Sequence, residues 1–178
     1  MQPTKRFWLV GLPGSGKSTR ALAFQKCFMH IFSIEVPILD FGCENEEDEQ
    51  LWKSTTPFQR QMQLLDRIET FIQDLKSTDY IAPLNPANVV IYTEWLIYKN
   101  LITEEEHKQI RSKASRLAKK IGNEVILQHL DIPLPVIMER LRKRGNFGDS
   151  IYTADDLKTM NFMQQSFIDT FGLIDGES

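Results

Sequence analysis

Cysteine is scarce in this chain, and its scarcity removes whole classes of protein. Cys27 and Cys43 are the only two cysteines in 178 residues, and neither has a second cysteine or a histidine cluster nearby. Neither a disulfide framework nor a zinc site is therefore expected, and a reducing compartment fits. Long apolar runs are missing as well. Nothing approaches the roughly 18 residues that a bilayer-spanning helix needs, and no signal-peptide core opens the chain, so the expectation is a cytoplasmic protein with no membrane partner. An excess of positive charge is also lacking. Lys and Arg number 21 against 24 Asp and Glu, a net charge of −3, which argues against duplex nucleic acid as a partner gripped by a basic face. Neither internal repeats nor disordered linkers stand out, and 42% hydrophobic residues suffice for one domain spanning residues 1–178.

Against these absences stands one dense motif, Gly11-Leu-Pro-Gly-Ser-Gly-Lys-Ser-Thr19, which satisfies G-x-x-x-x-G-K-[ST]. Gly11, Gly14 and Gly16 let successive N–H groups, those of Ser15 and Thr19 among them, turn inward on a phosphate. Lys17 adds a mobile positive charge, and the Ser18 hydroxyl can ligate Mg²⁺. The setting matches: an apolar run ends at Gly11, and a helical pattern starts at Ser18 with its positive dipole end facing the same point. This makes the protein a candidate for nucleotide-dependent phosphoryl transfer.

Apolar runs of strand length recur at Phe7–Val10, Val36–Phe41, Val89–Thr93 and Val125–Leu130. They are continuous rather than alternating, as in strands covered on both faces, and helical patterns separate them. The fold class is therefore α/β, with a parallel sheet and right-handed crossovers. One helix follows Pro57 with Phe58, Met62, Leu65, Ile68, Ile72 and Leu75 as its stripe. A second opens at Thr103-Glu-Glu-Glu106 and buries Ile110, Ala114, Leu117 and Ile121, leaving Lys108, Arg111, Lys113 and Arg116 as a solvated face. Others follow Pro133 and Thr153. The acidic run from Glu44 to Glu49 reads as a solvated loop.

In an open parallel sheet the ligand crevice lies beyond the carboxyl ends of the strands. The four runs would deliver the phosphate loop, Asp40, Glu94 and Asp131 there, with Asp131 also suited to capping the next helix. One carboxylate could accept the proton of an attacking hydroxyl and another, Glu94, could hold Mg²⁺ together with Ser18. Glu139-Arg-Leu-Arg-Lys-Arg-Gly145 crowds four cations into five positions before a glycine-containing loop, which suggests a lid over about residues 140–152 that brings arginines onto transferring phosphates.

The ordered set of Gly11–Thr19, Pro57-Phe58-Gln59, Glu94 after an apolar run and Glu139–Gly145 resembles the deoxynucleoside kinase family, relatives of the thymidylate kinases, from about Lys5 to Phe171. The resemblance implies a P-loop kinase fold with strand order 2-3-1-4, a fifth strand rudimentary or absent, and ATP with Mg²⁺ as cofactors. It also implies roles. Pro57-Phe58-Gln59 would meet the nucleobase, with the Gln59 amide on its edge, although an exposed polar residue in a first turn would look the same. Asp40 stands where the family's general base is usually glutamate, and Glu44 could take over from it. Glu94-Trp95-Leu96 carries tryptophan where the family has arginine, so Trp95 could stack on a base while Arg60 or a lid arginine supplies the missing charge. Arg140, Arg142 and Arg144 would contact the ATP phosphates, and Asp149 the sugar 3′-hydroxyl. Relatives commonly pair through helices, and the segments at Thr103–Ile121 and Phe58–Leu75 could supply the face of a homodimer.

The leading expectation is phosphorylation of the 5′-hydroxyl of a deoxynucleoside by ATP, in nucleotide salvage. A nucleoside monophosphate kinase of the thymidylate type is the runner-up, with Arg60 or Lys53 meeting the acceptor's phosphate. A nucleotide-binding pseudokinase, suggested by Trp95 and the short C-terminus, is the alternative from another class. A GTPase switch is disfavoured, because there is no N-K-x-D motif and the only D-x-x-G string, Asp169 to Gly172, closes a helix.

Overall fold

A short parallel sheet carries the molecule. The computed structural model describes residues 6–40, 50, 53–75, 79–122, 125–145 and 152–175, with side chains up to 169. β1 (Arg6–Val10) lies between β2 (Tyr80–Ala82) and β3 (Val125–His129), and both neighbours run parallel to it. Beyond β2 a single parallel bridge joins Ile38 to Ile81, with Leu39 N donating to Ile81 O at 2.8 Å and Ile81 N to Pro37 O at 2.9 Å. Residues 36–40 thus take the edge place that the 2-3-1-4 order gives the second strand, as a bridge rather than a full strand, and among the described residues the four expected strands reduce to three. Phe41 lies outside the described residues.

β1 reads as continuously apolar because it is covered on both faces. Leu9 points to α1 (Lys17–Phe32), where Ala21, Phe24 and Phe28 meet Phe7, Val36 and Ile81. Trp8 and Val10 point the other way, into a larger core built with α2 (Pro57–Asp74), α3 (Pro86–Tyr98), α4 (Glu104–Ile121) and α6 (Ala154–Asp175). α5 (Leu134–Arg144) packs Ile137 and Leu141 into the same core. Capping boxes start α2 at Thr56/Gln59 and α4 at Thr103/Glu106, satisfying N–H groups that a helix start leaves open. The four predicted apolar residues of α4, Ile110, Ala114, Leu117 and Ile121, are all buried. α2 and α4 lie side by side, joined by Lys113–Asp66 and by Lys120–Glu69 at 2.5 Å. Among the described residues no helix is long and apolar enough to cross a membrane.

The main correction concerns Val89–Thr93, which is helical. Asn85 caps α3 through its side chain, accepting from Asn88 N at 3.1 Å, and Pro86 begins the helix. Val89, Ile91, Thr93, Trp95 and Leu96 are all buried, so the helix is apolar nearly all round and its periodicity vanishes. The strand the sheet uses instead is the three-residue Tyr80–Ala82, stopped by Pro83.

Asn85 also donates to Leu9 O at 3.2 Å and Ala82 O at 3.0 Å, wholly buried. Asn85→Ala removes a cap and two buried hydrogen bonds, to Leu9 O and Ala82 O, so a loss of about 2–4 kcal/mol is expected in chemical denaturation. A loss below about 1 kcal/mol would show that the cross-strand bonds contribute little.

Candidate active site

The turn after β1 is tight enough to need its glycines. Ser15 N bonds Leu12 O at 3.1 Å, and Gly14 and Gly16 sit at φ +78° and +92°, where other residues are strained. A Cβ at Gly14 would come within 2.9 Å of Leu141 Cδ2, and one at Gly11 within 2.5 Å of Ser15 Oγ. Gly16 caps α1 with no side-chain bond, so N–H groups of the first turn stay available to an anion. Ser15 Oγ is buried without a hydrogen-bond partner, a donor that an oxyanion would satisfy.

Lys17 Nζ donates to Gly11 O at 2.8 Å and Leu12 O at 3.1 Å. Burial of its ammonium lowers the pKa to about 8, against an upward pull from Asp40 and with a further downward push from Arg144. Those two influences put Asp40 and Arg144 within electrostatic reach of Lys17.

The loop faces a cleft of about 710 Å³ whose lining includes Ser18, Thr19, Arg140 and Arg144. Arg140 Nη1 donates to Ser15 O at 3.3 Å and Gly14 O at 3.4 Å. Four residues apart on α5, Arg140 and Arg144 share the face turned to the loop, while Ile137 and Leu141 bury the adjoining one. Arg142 is absent from the cleft lining, so of the three expected arginines the structure brings two to the loop. An uncapped helix start, an orphaned hydroxyl, Lys17 and two arginines suit a triphosphate, and Ser18, in the same lining, is a residue that could hold Mg²⁺.

A second, smaller cavity of about 170 Å³ lies behind the loop and shares Pro13 and Lys17 with the first. Leu64 and Val89 give it apolar walls, Tyr92 and Tyr152 aromatic ones, and Gln61 and Gln164 polar ones. Both glutamines are 2% exposed, and Gln61 Oε1 and Gln164 Nε2 have no partner. One orphaned acceptor and one orphaned donor therefore belong to side chains that line this cavity. Burial raises the pKa of Tyr92, opposed by its hydrogen bond with Tyr152.

Several expected site residues stand elsewhere. Glu94 is on α3, not at a strand tip, and its Oε1 meets His107 Nε2 at 3.0 Å and Arg111 Nη1 at 3.4 Å, tying α3 to α4. Trp95 is 3% exposed and donates to Asp156 Oδ1 at 3.3 Å; it is a core residue between α3 and α6 and lines neither cavity. Gln59 is spent on the capping box, its Oε1 accepting from Thr56 N at 2.9 Å, and is exposed. Phe58 packs on the core. Asp131 is exposed, and Pro133 rather than Asp131 is the N-cap of α5. Asp149, Glu44 to Glu49 and the lid beyond Gly145 up to 151 lie outside the described residues. The tip of β2 carries Pro83-Leu84-Asn85. There Asn88 Nδ2 donates to Leu9 O at 2.8 Å and Pro83 O at 2.9 Å, so amides occupy the place expected for a carboxylate and an arginine.

No protein-family model and no curated protein sequence matches the chain. Solved structures do match in shape. Deoxyadenosine kinase from M. mycoides with bound dATP is 18% identical with a TM-score of 0.71, over 96% of this chain and 86% of that one. The same kinase with bound dCTP is 17% identical with a TM-score of 0.72, over 93% and 83%. At such identities the likeness is one of fold, and the chain has the P-loop fold of these kinases.

The Lys17 pKa has two consequences of opposite sign. Below pH 8 the ammonium is intact, so affinity of the free protein for Mg·ATP is expected to fall as pH rises from 7.5 to 9.5 in calorimetric titration, whereas Lys17→Ala binds weakly and without that slope. Folding stability moves the other way. The unfolded chain holds this proton up to its ordinary 10.5, so the native state gains stability between pH 8 and 10.5. A flat binding profile for the unaltered protein would contradict the first expectation.

Proposed function

We propose that this protein transfers the γ-phosphoryl group of ATP to the 5′-hydroxyl of a deoxynucleoside. The observation that carries the reading is the meeting of two unlike cavities at Lys17, one cationic and open, the other apolar with two unpaired amide groups. A nucleobase presents an adjacent donor and acceptor on a flat apolar ring, and Gln61 and Gln164 complement both features. Gln61 takes the part that the resemblance gives to Gln59.

In this reading the loop N–H groups, Lys17, Arg140 and Arg144 hold the triphosphate. Ser18 would hold Mg²⁺, which would supply charge neutralisation at the transferring group. Asp40, within electrostatic reach of Lys17, takes the proton of the 5′-hydroxyl as its oxygen bonds to the γ-phosphorus. The bond from that phosphorus to the bridging oxygen breaks, and ADP leaves. Lys17 and the two arginines stabilise the charge that develops, in preorganised positions.

Among the described residues Lys17 is the single cation lining the smaller cavity. A monophosphate acceptor would bring about two further negative charges there, which favours a nucleoside over a nucleotide. Arg60 lies outside that lining and donates to Thr56 O at 3.4 Å. On this reading the enzyme works in the cytoplasm, in nucleotide salvage, and pairs as a homodimer through the outer faces of α2 and α4.

Turnover measured with each deoxynucleoside and each monophosphate tests the assignment. Product is expected from a nucleoside, and Lys17→Ala should lower kcat by on the order of 10²–10⁴-fold. Gln61→Leu and Gln164→Leu should each raise the nucleoside KM by about 10-fold or more, with the ATP KM within about twofold. Product from monophosphates alone would move the reading to the nucleotide kinases. ATP binding without any product would favour the pseudokinase.

A further inference from the structure

Tyr152 walls the smaller cavity, and a buried carboxylate four residues further on lies outside that cavity. Asp156, 6% exposed, opens α6 with a capping interaction. Its Oδ2 accepts from Thr153 N at 3.0 Å and Thr153 Oγ1 at 2.7 Å, and Thr153 Oγ1 in turn accepts from Asp156 N at 3.1 Å. A cap needs only one carboxylate oxygen. The other oxygen, Oδ1, reaches across to α3, accepting from Trp95 Nε1 at 3.3 Å and pairing with Lys99 Nζ at 2.9 Å. Trp95 and Lys99 are one turn apart at the C-terminal end of α3. One buried carboxylate thus joins two helices immediately after Tyr152.

The aromatic rings complete the connection. Tyr152 packs its ring 5.7 Å from Trp95 and 6.3 Å from Tyr92, and Tyr92 lies 5.2 Å from Trp95. Tyr92 and Tyr152 line the cavity, whereas Trp95 and Asp156 do not. Burial pushes the Asp156 carboxyl up, but hydrogen bonds from Thr153, Lys99 and Trp95 outweigh it and bring the pKa to about 2. The carboxylate is therefore charged throughout the working pH range, losing its grip only in strong acid.

We infer that Asp156, held by Trp95 and Lys99, is a positioning residue that sets Tyr152 against Tyr92 as the wall on which the acceptor's ring packs. The unit therefore governs affinity for the acceptor and leaves affinity for ATP alone. This rests on the nucleoside kinase reading for the identity of the acceptor, but the latch itself is independent of it. It also gives Trp95 a task that an arginine at this place could not perform in the same way. The indole fills the core with its ring while its single N–H reaches the carboxylate.

Trp95→Phe tests the inference most cleanly, since it keeps an aromatic ring in the core and removes the donor. Two readouts separate the latch from the substrate. Hydrogen exchange at the backbone amides of Thr153 and Asp156 should accelerate by about 5-fold or more, and the deoxynucleoside KM should rise by about 5–10-fold while the ATP KM stays within about twofold. Tyr152→Ala should raise the same KM, and adding Trp95→Phe to it should raise it no further, because both act through one side chain. Asp156→Asn, which keeps the shape and loses the ion pair, should fall in the same direction. Unchanged exchange in Trp95→Phe would overturn the latch whatever the substrate is. Equal rises in both KM values, or effects that multiply in the double variant, would overturn its link to the acceptor. Accelerated exchange in a protein that binds no nucleoside would uphold the latch and sink the kinase reading instead.

Discussion

The site depends on one constraint, the return of the backbone from Gly11 to Lys17 between β1 and α1. Left-handed Gly14 lies against Leu141 of α5, and Lys17 is anchored on the carbonyls of Gly11 and Leu12. That packing places the cationic cleft on one side of the loop and the amide-edged cavity on the other, with Lys17 common to both. It also determines which arginines matter. α5 reaches the loop through Leu141, so Arg140 and Arg144 on the neighbouring face overhang the cleft while Arg142 points to solvent.

Much of this was legible in the chain. The phosphate loop announces itself because few alternatives need three glycines, a lysine and a hydroxyl at those spacings. The helices of Pro57–Asp74 and Glu104–Ile121 declare their start through capping residues and their inner face through period. Val89–Thr93 misleads because a helix apolar nearly all round loses its period. Asn85-Pro86, a cap followed by a first-turn proline, was the local signal against a strand. That one reassignment moves Glu94 and Trp95 from the sheet tip into helix packing. Gln61 and Gln164 escaped notice although each interrupts an apolar stripe, Gln61 before Leu65 and Ile68, Gln164 after Leu157 and Met160. A glutamine at a core-facing position has lost its water, and so needs either a partner in the fold or a ligand.

The chemistry near the loop is sparser in charge than the family resemblance implies. At the tip of β2, Asn85 and Asn88 tie Leu9, Ala82 and Pro83 together through backbone carbonyls. The amides make this corner rigid, but they bring neither a carboxylate for metal nor a cation for phosphate. Asp40 is left as the carboxylate that acts on Lys17, and the cations come from the loop and α5. Trp95, the residue whose identity looked least compatible with phosphoryl transfer, instead packs in the core against Tyr152, which lines the smaller cavity. Its presence is therefore no argument against catalysis.

The central claim is that donor and acceptor meet at Lys17. A bisubstrate molecule, adenosine joined through a polyphosphate chain to the 5′-oxygen of the preferred deoxynucleoside, would occupy both cavities at once. Measured by calorimetry, it should bind about 100-fold or more tightly than either ATP or the nucleoside alone, since the second half binds at high effective concentration. Lys17→Ala should remove most of that gain. A bisubstrate that binds no better than its tighter half would mean that the two cavities do not serve one reaction.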